Sequence, residues 1–402
     1  MKILIIGGGG REHALAWRLS REAHEIVAAP GNPGIAQCGK IVPTKSYEHL
    51  AEHVKPDLIV VGPEQPLAEG IVDHFRSISI PIVGPTREQA QLEASKIYSK
   101  TFMQRAGIPT ARFLQSSNAR EAVEALDRFH YPIVIKADGL ATGKGVITAA
   151  DRAQAESAIS TLGPNLVIEE FLQGEEVSFI VLSDGKDFVA FDATQDHKAI
   201  NDGDTGPNTG GMGAYCDGRI LTSAASQRII ETIIQPAIRA TGFTGFLYAG
   251  LMMTAEGPKV LEFNARLGDP ETQPLMHRLH PSVDFAGILM RSATGSLGSG
   301  AIFEWRSDPS VCVVLSAAGY PSTPRTGDVI TGIEDCGAQV FQAGTRQTER
   351  GLETAGGRVL GVTASGSDLQ AAIANTYAAV EKIHFDGMHY RRDIGRKGLK
   401  RW

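Results

Sequence analysis

The segment Glu262-Phe-Asn-Ala-Arg-Leu-Gly-Asp-Pro-Glu-Thr-Gln273 crowds a carboxylate, an amide oxygen, a guanidinium and two further carboxylates into one strand-to-turn run. Alternate residues of a strand share a face, so Glu262, Asn264 and Arg266 point the same way. Hard oxygen donors beside a fixed cation suit a divalent ion carrying polyphosphate, with the arginine steadying charge that moves. The competing reading is a solvated strand end followed by a Gly-Asp-Pro turn.

Four other segments bear on that choice. In Pro132-Ile-Val-Ile-Lys136-Ala137 a lysine ends an apolar strand, where an unpaired ammonium would be costly. Its partner is either a nearby carboxylate or a nucleotide phosphate. Gly139-Leu-Ala-Thr-Gly143-Lys144-Gly145 looks like a Walker A loop but is one residue short, and Gly145 stands where a Mg²⁺-binding hydroxyl belongs. It precedes a strand rather than a helix, which suits a lysine-bearing flap over phosphates. Leu166-Val-Ile-Glu169-Glu170-Phe171-Leu172 runs into Gly174-Glu175-Glu176, a strand end that could read an adenine edge, followed by a carboxylate for ribose hydroxyls. Solvated acidic turn residues are the alternative there. Asp196-His197-Lys198 and Asp204-Thr-Gly-Pro-Asn208-Thr-Gly-Gly211-Met212-Gly213 read as a long polar loop, and loops of that size tend to be functional. Its glycines let backbone N–H groups approach an anion. His13 and His197 are each isolated and read as hydrogen-bonded structural residues rather than metal ligands.

These motifs need elements to hold them. Residues 1–92 alternate short apolar strands (2–6, 25–29, 57–61, 81–83) with helical segments (11–21, 47–54, 67–76), the rhythm of an open parallel α/β sheet. Ligands of such sheets lie beyond the strands' carboxyl ends, where Gly7–Gly10, the turn holding Asn32 and the turn ending at Glu64 are found. The Gly7-Gly-Gly-Gly10 run has the wrong spacing for a dinucleotide fingerprint but suits a phosphate monoester at a helix start. A helix is expected over 96–105, then a small α+β lobe over about 110–190 with helices after Asn118 and Asp151. Residues 93–303 form one unit on this reading, with a helix over 224–241, and 304–402 form a small C-terminal α+β domain with strands at 310–317, 338–343 and 358–363.

Composition narrows the class. With 402 residues, 42% hydrophobic and 21% charged, the chain can build several cores. A net charge of -6 argues against a nucleic-acid partner. Four scattered cysteines without a C-x-x-C pair fit reduced thiols, and no apolar run approaches a membrane span. A cytoplasmic protein is expected.

Taken in this order, Gly-Gly-Arg-Glu-His-Ala-Leu, the 136–145 region, 204–215 and 266–273 resemble the glycinamide ribonucleotide synthetases, ligases of the ATP-grasp superfamily, from Met1 to about Gly395. The resemblance implies an N-terminal α/β sheet, an ATP-grasp core of two α+β lobes and a small C-terminal domain. It also implies ligation of glycine to 5-phosphoribosylamine with ATP as co-substrate, in purine biosynthesis, with Mg²⁺ or Mn²⁺. By motif, Lys100, Lys136, Gly143, Lys144 and Gly145 fall to the ATP phosphates, Glu169, Phe171 and Leu172 to adenine, and Glu176 to ribose. Glu262 and Asn264 match the metal pair, while Arg266, Asp269, Glu271 and Lys144 match catalytic positions. Gly8, Gly9, Gly10, Asn32 and Glu64 fall to the phosphoribosylamine site, and Asp196, Lys198, Asp204, Asn208, Gly211 and Met212 to the remaining substrate contacts. The family's further acidic ligand one strand earlier is replaced here by Ala249-Gly250-Leu251. Rivals are an ATP-grasp ligase for another carboxylate and amine, a nucleotide-binding regulator without chemistry, and a nicotinamide oxidoreductase.

Overall fold

A computed structural model of the chain describes residues 1–44, 46–47, 49–140 and 145–401. The first sheet is parallel throughout, in the order Lys40–Ile41, Glu25–Pro30, Lys2–Gly7, Leu58–Val61, Ile82–Val83. Its inner strands are apolar on both faces because helices cover both sides. The helix expected over 67–76 is two helices, Glu64–Glu69 and Ile71–Ser77. Gly70 sits between them at φ +94°, a left-handed conformation that ends the first. The short edge strand Lys40–Ile41 has no sequence signature, being two exposed residues long.

Helix Lys96–Arg105 stands where expected, its start capped by the Ser95 hydroxyl, which accepts from the Tyr98 N–H at 3.0 Å. A four-stranded antiparallel sheet follows, ordered Phe113–Ser116, Leu166–Glu170, Ile133–Ala137, Val146–Ala149. Helices Ala119–Leu126 and Arg152–Leu162 pack on it, N-capped by Asn118 and Asp151. This sheet closes at Glu170. The strands that the sequence reading places in the same lobe up to Ala190 pair elsewhere, because Glu175–Asp184 finds a ten-residue antiparallel partner in Thr244–Thr254.

That pair lies in a nine-stranded antiparallel sheet ordered Gly257–Asn264, Thr244–Thr254, Glu175–Asp184, Thr194–Asp196, Gly213–Cys216, Ser310–Ser316, Arg358–Ser365, Gln339–Gln342, with Phe188–Ala190 alongside Glu175–Asp184. The three strands expected in the last hundred residues thus continue the central sheet instead of forming a separate one. The polar stretch 195–215, expected as a loop, is mostly strand, with a hairpin of Ala199–Asn201 and Thr205–Asn208. Two of its buried polar side chains are satisfied within the sheet: the Tyr215 hydroxyl donates to Gln195, whose amide donates to the Glu176 carbonyl at 2.7 Å. Helix Ser223–Ile229 continues through a π turn, Ile230–Ile234, into Gln235–Thr241, ending at Gly242. A hairpin of Thr345–Thr348 and Gly351–Thr354 lies outside the expected elements. Among the described residues no helix is long and apolar enough to cross a membrane. All four cysteines are unpaired.

Candidate active site

Strand Gly257–Asn264 and the turn after it present Glu262, Asn264 and Arg266 on one side, in line with the period-two expectation. Arg266 Nη2 donates to Asn264 Oδ1 at 3.3 Å and lies 2.7 Å from Glu93, while its Nε lies 3.3 Å from Glu64. The neighbouring strand places Gly250 opposite Glu262, so no acid is offered from that position. Burial opposes charge on Glu262, but Lys198, Lys136, Lys96 and Arg266 together hold its carboxyl below the ordinary range. An ionised carboxylate beside an amide oxygen is a donor set that fits Mg²⁺ or Mn²⁺.

Asp269 and Glu271 follow in the turn. Asp269 accepts from the Gln273 amide at 2.8 Å and lies 3.5 Å from Arg358 Nη2. Burial works against its charge, and Arg358 and Arg11 outweigh it, leaving its pKa lowered. Glu271 is buried and accepts from the Tyr248 hydroxyl at 2.9 Å, with Ser178 at 3.3 Å. The N-terminal glycines come against this turn, for a Cβ on Gly9 or Gly10 would lie 3.5 Å from an Asp269 oxygen. Gly8 packs on the Gly31 carbonyl. The helix start expected to hold a phosphate is capped from within: the Gly9 N–H donates to Glu12 at 2.6 Å.

Across the cleft, the Lys136 and Lys100 ammoniums share one buried carboxylate, Glu169, at 3.1 Å each. Lys136 also donates to the Leu261 carbonyl at 2.9 Å, beside Glu262. The lysine partner that the sequence left open is therefore a carboxylate here, and the Glu169 side chain faces the lysines. Burial pushes the Lys100 ammonium down to about 8 against the pull of Glu169. Leu172 is buried and Phe171 exposed at the strand end. Gly145 accepts from the Ala137 N–H at 2.8 Å, whereas Gly143 and Lys144 lie outside the described residues.

Lys198 lies 2.7 Å from Glu176 and 4.0 Å from Asp196. Burial raises the Asp196 carboxyl to about 7 despite Lys198. Lys198 lowers the Glu176 pKa, against burial.

Several expected contacts are engaged elsewhere. Asn32 uses both ends of its amide for structure, donating to the Gly8 and Gln342 carbonyls at 2.8 Å and accepting from Ile35 N–H at 2.9 Å. Asp204 pairs with Arg391 at 3.0 Å and Lys397 at 2.6 Å. Asn208 is exposed on the hairpin, and the Met212 side chain is fully buried, so only its backbone could meet a ligand. Gly211 earns its place by geometry, at φ +113° with room for a Cβ denied by Pro270 at 2.5 Å. His13 and His197 are buried, their pKa values held down to about 4 and about 3 by burial first. His13 Nδ1 accepts from the Gln342 N–H at 2.7 Å as expected, whereas the two ring nitrogens of His197 have no hydrogen-bond partner among the described residues, against expectation. Neither histidine joins a ligand cluster among them.

Sequence reasoning missed Glu93, Lys96, Tyr248 and Arg358. Lys96 donates to the Gly139 carbonyl at 2.7 Å, tying a helix start to the flap. Arg358 donates to the carbonyls of Gly210 and Asp269, bridging the polar stretch and the acidic turn. Its only local signal was a Gly-Gly pair just before it.

Comparison with known proteins bears on the same segments. Family models for the phosphoribosylglycinamide synthetase N domain, ATP-grasp (A) domain and C domain match residues 1–93, 94–272 and 310–397. A phosphoribosylamine–glycine ligase of Ralstonia nicotianae is 48% identical over the full length of both chains, and one of Caulobacter vibrioides is 44% identical over 100% of this chain and 99% of its own. The crystal structure of phosphoribosylamine–glycine ligase from Thermotoga maritima superposes with a TM-score of 0.86 at 35% identity, covering 98% of this chain and all of that one. A biotin carboxylase from Campylobacter jejuni, 16% identical with a TM-score of 0.72 over 99% of this chain and 95% of its own, shares the fold alone. With an acid–amide–arginine strand beside paired lysines, and with family models matching N-terminal, central and C-terminal segments, the chain belongs to the phosphoribosylglycinamide synthetase family and is an ATP-dependent ligase.

Proposed function

We propose that this ligase joins glycine to 5-phosphoribosylamine by way of a glycyl phosphate, with the residues around Glu262 supplying the electrostatics. The overall reaction, which forms glycinamide ribonucleotide in purine biosynthesis, follows from family membership. The path follows from chemistry: hydroxide is a poor leaving group, so the carboxylate needs activation. A glycine carboxylate oxygen attacks the γ-phosphorus of ATP, and the bond to the β-phosphate oxygen breaks, releasing ADP. The amine of 5-phosphoribosylamine then attacks the acyl carbon, phosphate departs with the former carboxylate oxygen, and the amine loses a proton.

The observation that carries this reading is the pair of buried ammoniums, Lys100 and Lys136, gathered 3.1 Å from Glu169, with Lys136 also donating to the Leu261 carbonyl beside Glu262. Lys100, Lys136 and Arg266 neutralise the charge spreading over the transferred phosphoryl group. Lys144 would add its charge to the same phosphoryl group, and exclusion of water from the site would keep the acyl phosphate from hydrolysis. Glu262 and Asn264 would hold Mg²⁺ or Mn²⁺, whose charge would offset that of the phosphates. Asp269, beside Arg358 and the Gly8–Gly10 loop, orients the attacking amine. Glu271, through Tyr248 and Ser178, steadies the wall against which Asp196 and Lys198 hold the amino acid. Phe171 and Leu172 offer an apolar seat for adenine with Glu176 at the ribose.

Glycine labelled with ¹⁸O in its carboxylate tests the path. Label should appear in released phosphate, one oxygen per turnover; label kept wholly in the product amide would rule out the acyl phosphate. We further infer that the chain acts as a cytoplasmic monomer, which sedimentation at micromolar concentration checks.

A further inference from the structure

The hairpin of Ala199–Asn201 and Thr205–Asn208 begins one residue after Lys198, and its ties run to a remote piece of chain, residues 389–397. Arg391 is 1% exposed and uses its guanidinium on both sides of that junction. Its Nε and Nη2 each donate to Asp393 at 2.7 Å, within its own segment. Its Nη1 donates across to the Ala199 carbonyl at 3.1 Å and to Asp204 Oδ1 at 3.0 Å. Lys397 holds the other Asp204 oxygen at 2.6 Å. Backbone groups add to this: Gly203 N–H donates to Asp393 at 2.9 Å, Arg392 N–H to Asp202 at 2.7 Å, and His389 Nε2 meets the Ile200 carbonyl at 2.9 Å.

A guanidinium sealed from water is tolerated only while its donors are engaged. Here part of that engagement comes from the hairpin, so moving the hairpin would leave a buried charge short of partners. The turn itself needs holding, because Gly203 and Asp204 are successive left-handed residues at φ +68° and +57°. The Ala199 carbonyl that Arg391 grips is one peptide from Lys198, whose own carbonyl accepts from Thr209 at 2.8 Å. We propose that Arg391 is a positioning residue of the ligase: through Ala199 and Asp204 it fixes the hairpin, and so sets Lys198 and Asp196 against the amino-acid substrate. The Asp204 carboxylate then serves as the hairpin's anchor and not as a substrate contact. This rests on the reading that Lys198 and Asp196 face glycine.

Steady-state kinetics and amide hydrogen exchange on the full chain test it. Arg391→Gln should raise the KM for glycine about tenfold while the KM for ATP stays within about twofold. Exchange across 199–208 should quicken in the same protein, and Arg391→Lys should fall between the two. Should Arg391→Gln fail to fold, Asp204→Asn cuts the same link at a half-exposed side chain and gives the same readouts. Lys198→Met tests the underlying reading and should also raise the glycine KM. If Lys198→Met raises it but Arg391→Gln and Asp204→Asn do not, the positioning role is overturned alone. If Lys198→Met leaves it unchanged, the substrate reading falls, and the exchange data separately show whether the latch exists. Equal rises in the KM for glycine and for ATP would mark a general structural role and overturn the proposal.

Discussion

Lys136 Nζ lies 3.1 Å from Glu169 Oε2, both side chains almost sealed from solvent. The other oxygen of Glu169 lies 3.1 Å from Lys100, a charge contact lacking hydrogen-bond alignment at that oxygen. One carboxylate therefore balances two ammoniums in a place where polyphosphate is expected to add more negative charge.

That balance predicts the behaviour of Glu169→Gln. Removing one member of a buried ion pair leaves the other uncompensated, a loss of about 3 kcal/mol or more. ATP would then supply the missing charge. The variant should melt lower than the parent without nucleotide and gain more melting temperature from saturating ATP. Differential scanning calorimetry with and without ATP reads both; an equal ATP gain in the two proteins would mean that the lysines do not face phosphate.

Glu262→Ala should lower kcat by roughly 100-fold or more, the scale on which single electrostatic groups act in a closed site. Its fold should survive, since the side chain is partly exposed and lies at a strand end. Activity titrated against Mg²⁺ and against Mn²⁺ should show weakened metal dependence. A large fall in melting temperature in metal-free buffer would point to a structural role instead.

Asp196 predicts a pH slope in stability. Burial raises its folded pKa to about 7, well above the ordinary 3.8 of an aspartate. The folded state then holds a proton that the unfolded chain has released, so this contribution is complete below about 4 and disappears as pH rises through about 7. Asp196→Asn should flatten that part of the profile. Urea midpoints at intervals from pH 5 to 8, taken as about the working range of such groups, compare the two proteins; parallel profiles would show that Asp196 ionises normally.

Gly211→Ala should impair turnover more than stability. Its φ of +113° is disfavoured for alanine, and the new Cβ would meet Pro270 Cδ at 2.5 Å. The strain of about 1–3 kcal/mol falls on the turn carrying Asp269. We expect kcat/KM to drop at least about tenfold with a small shift in melting temperature. Wild-type kinetics in this variant would mean that the turn can yield without consequence.

Local signals explain what was legible. The caps at Asn118 and Asp151 and the helix after Ser95 are set by side chains bonding backbone within three residues. The shared face of Glu262, Asn264 and Arg266 follows from strand periodicity. Illegible were Arg358, which reaches Gly210 across 148 positions, and Asp204, whose partner Arg391 is 187 positions away. Nor did polarity forecast that 195–215 is mostly strand, because Tyr215 and Gln195 bond each other and the Glu176 backbone inside the sheet.

The order and chemistry of the motifs, from the glycine run through Lys136 to Glu262, were enough to identify the family and its kind of reaction, because residue type and short spacing are written in the chain itself. Which charges neutralise which was settled only when distant strands paired. The partner of Glu169, the anchor of Asp204 and the grip of Arg358 on Asp269 depend on sheet register and burial, and both arise from contacts between segments that share no local pattern.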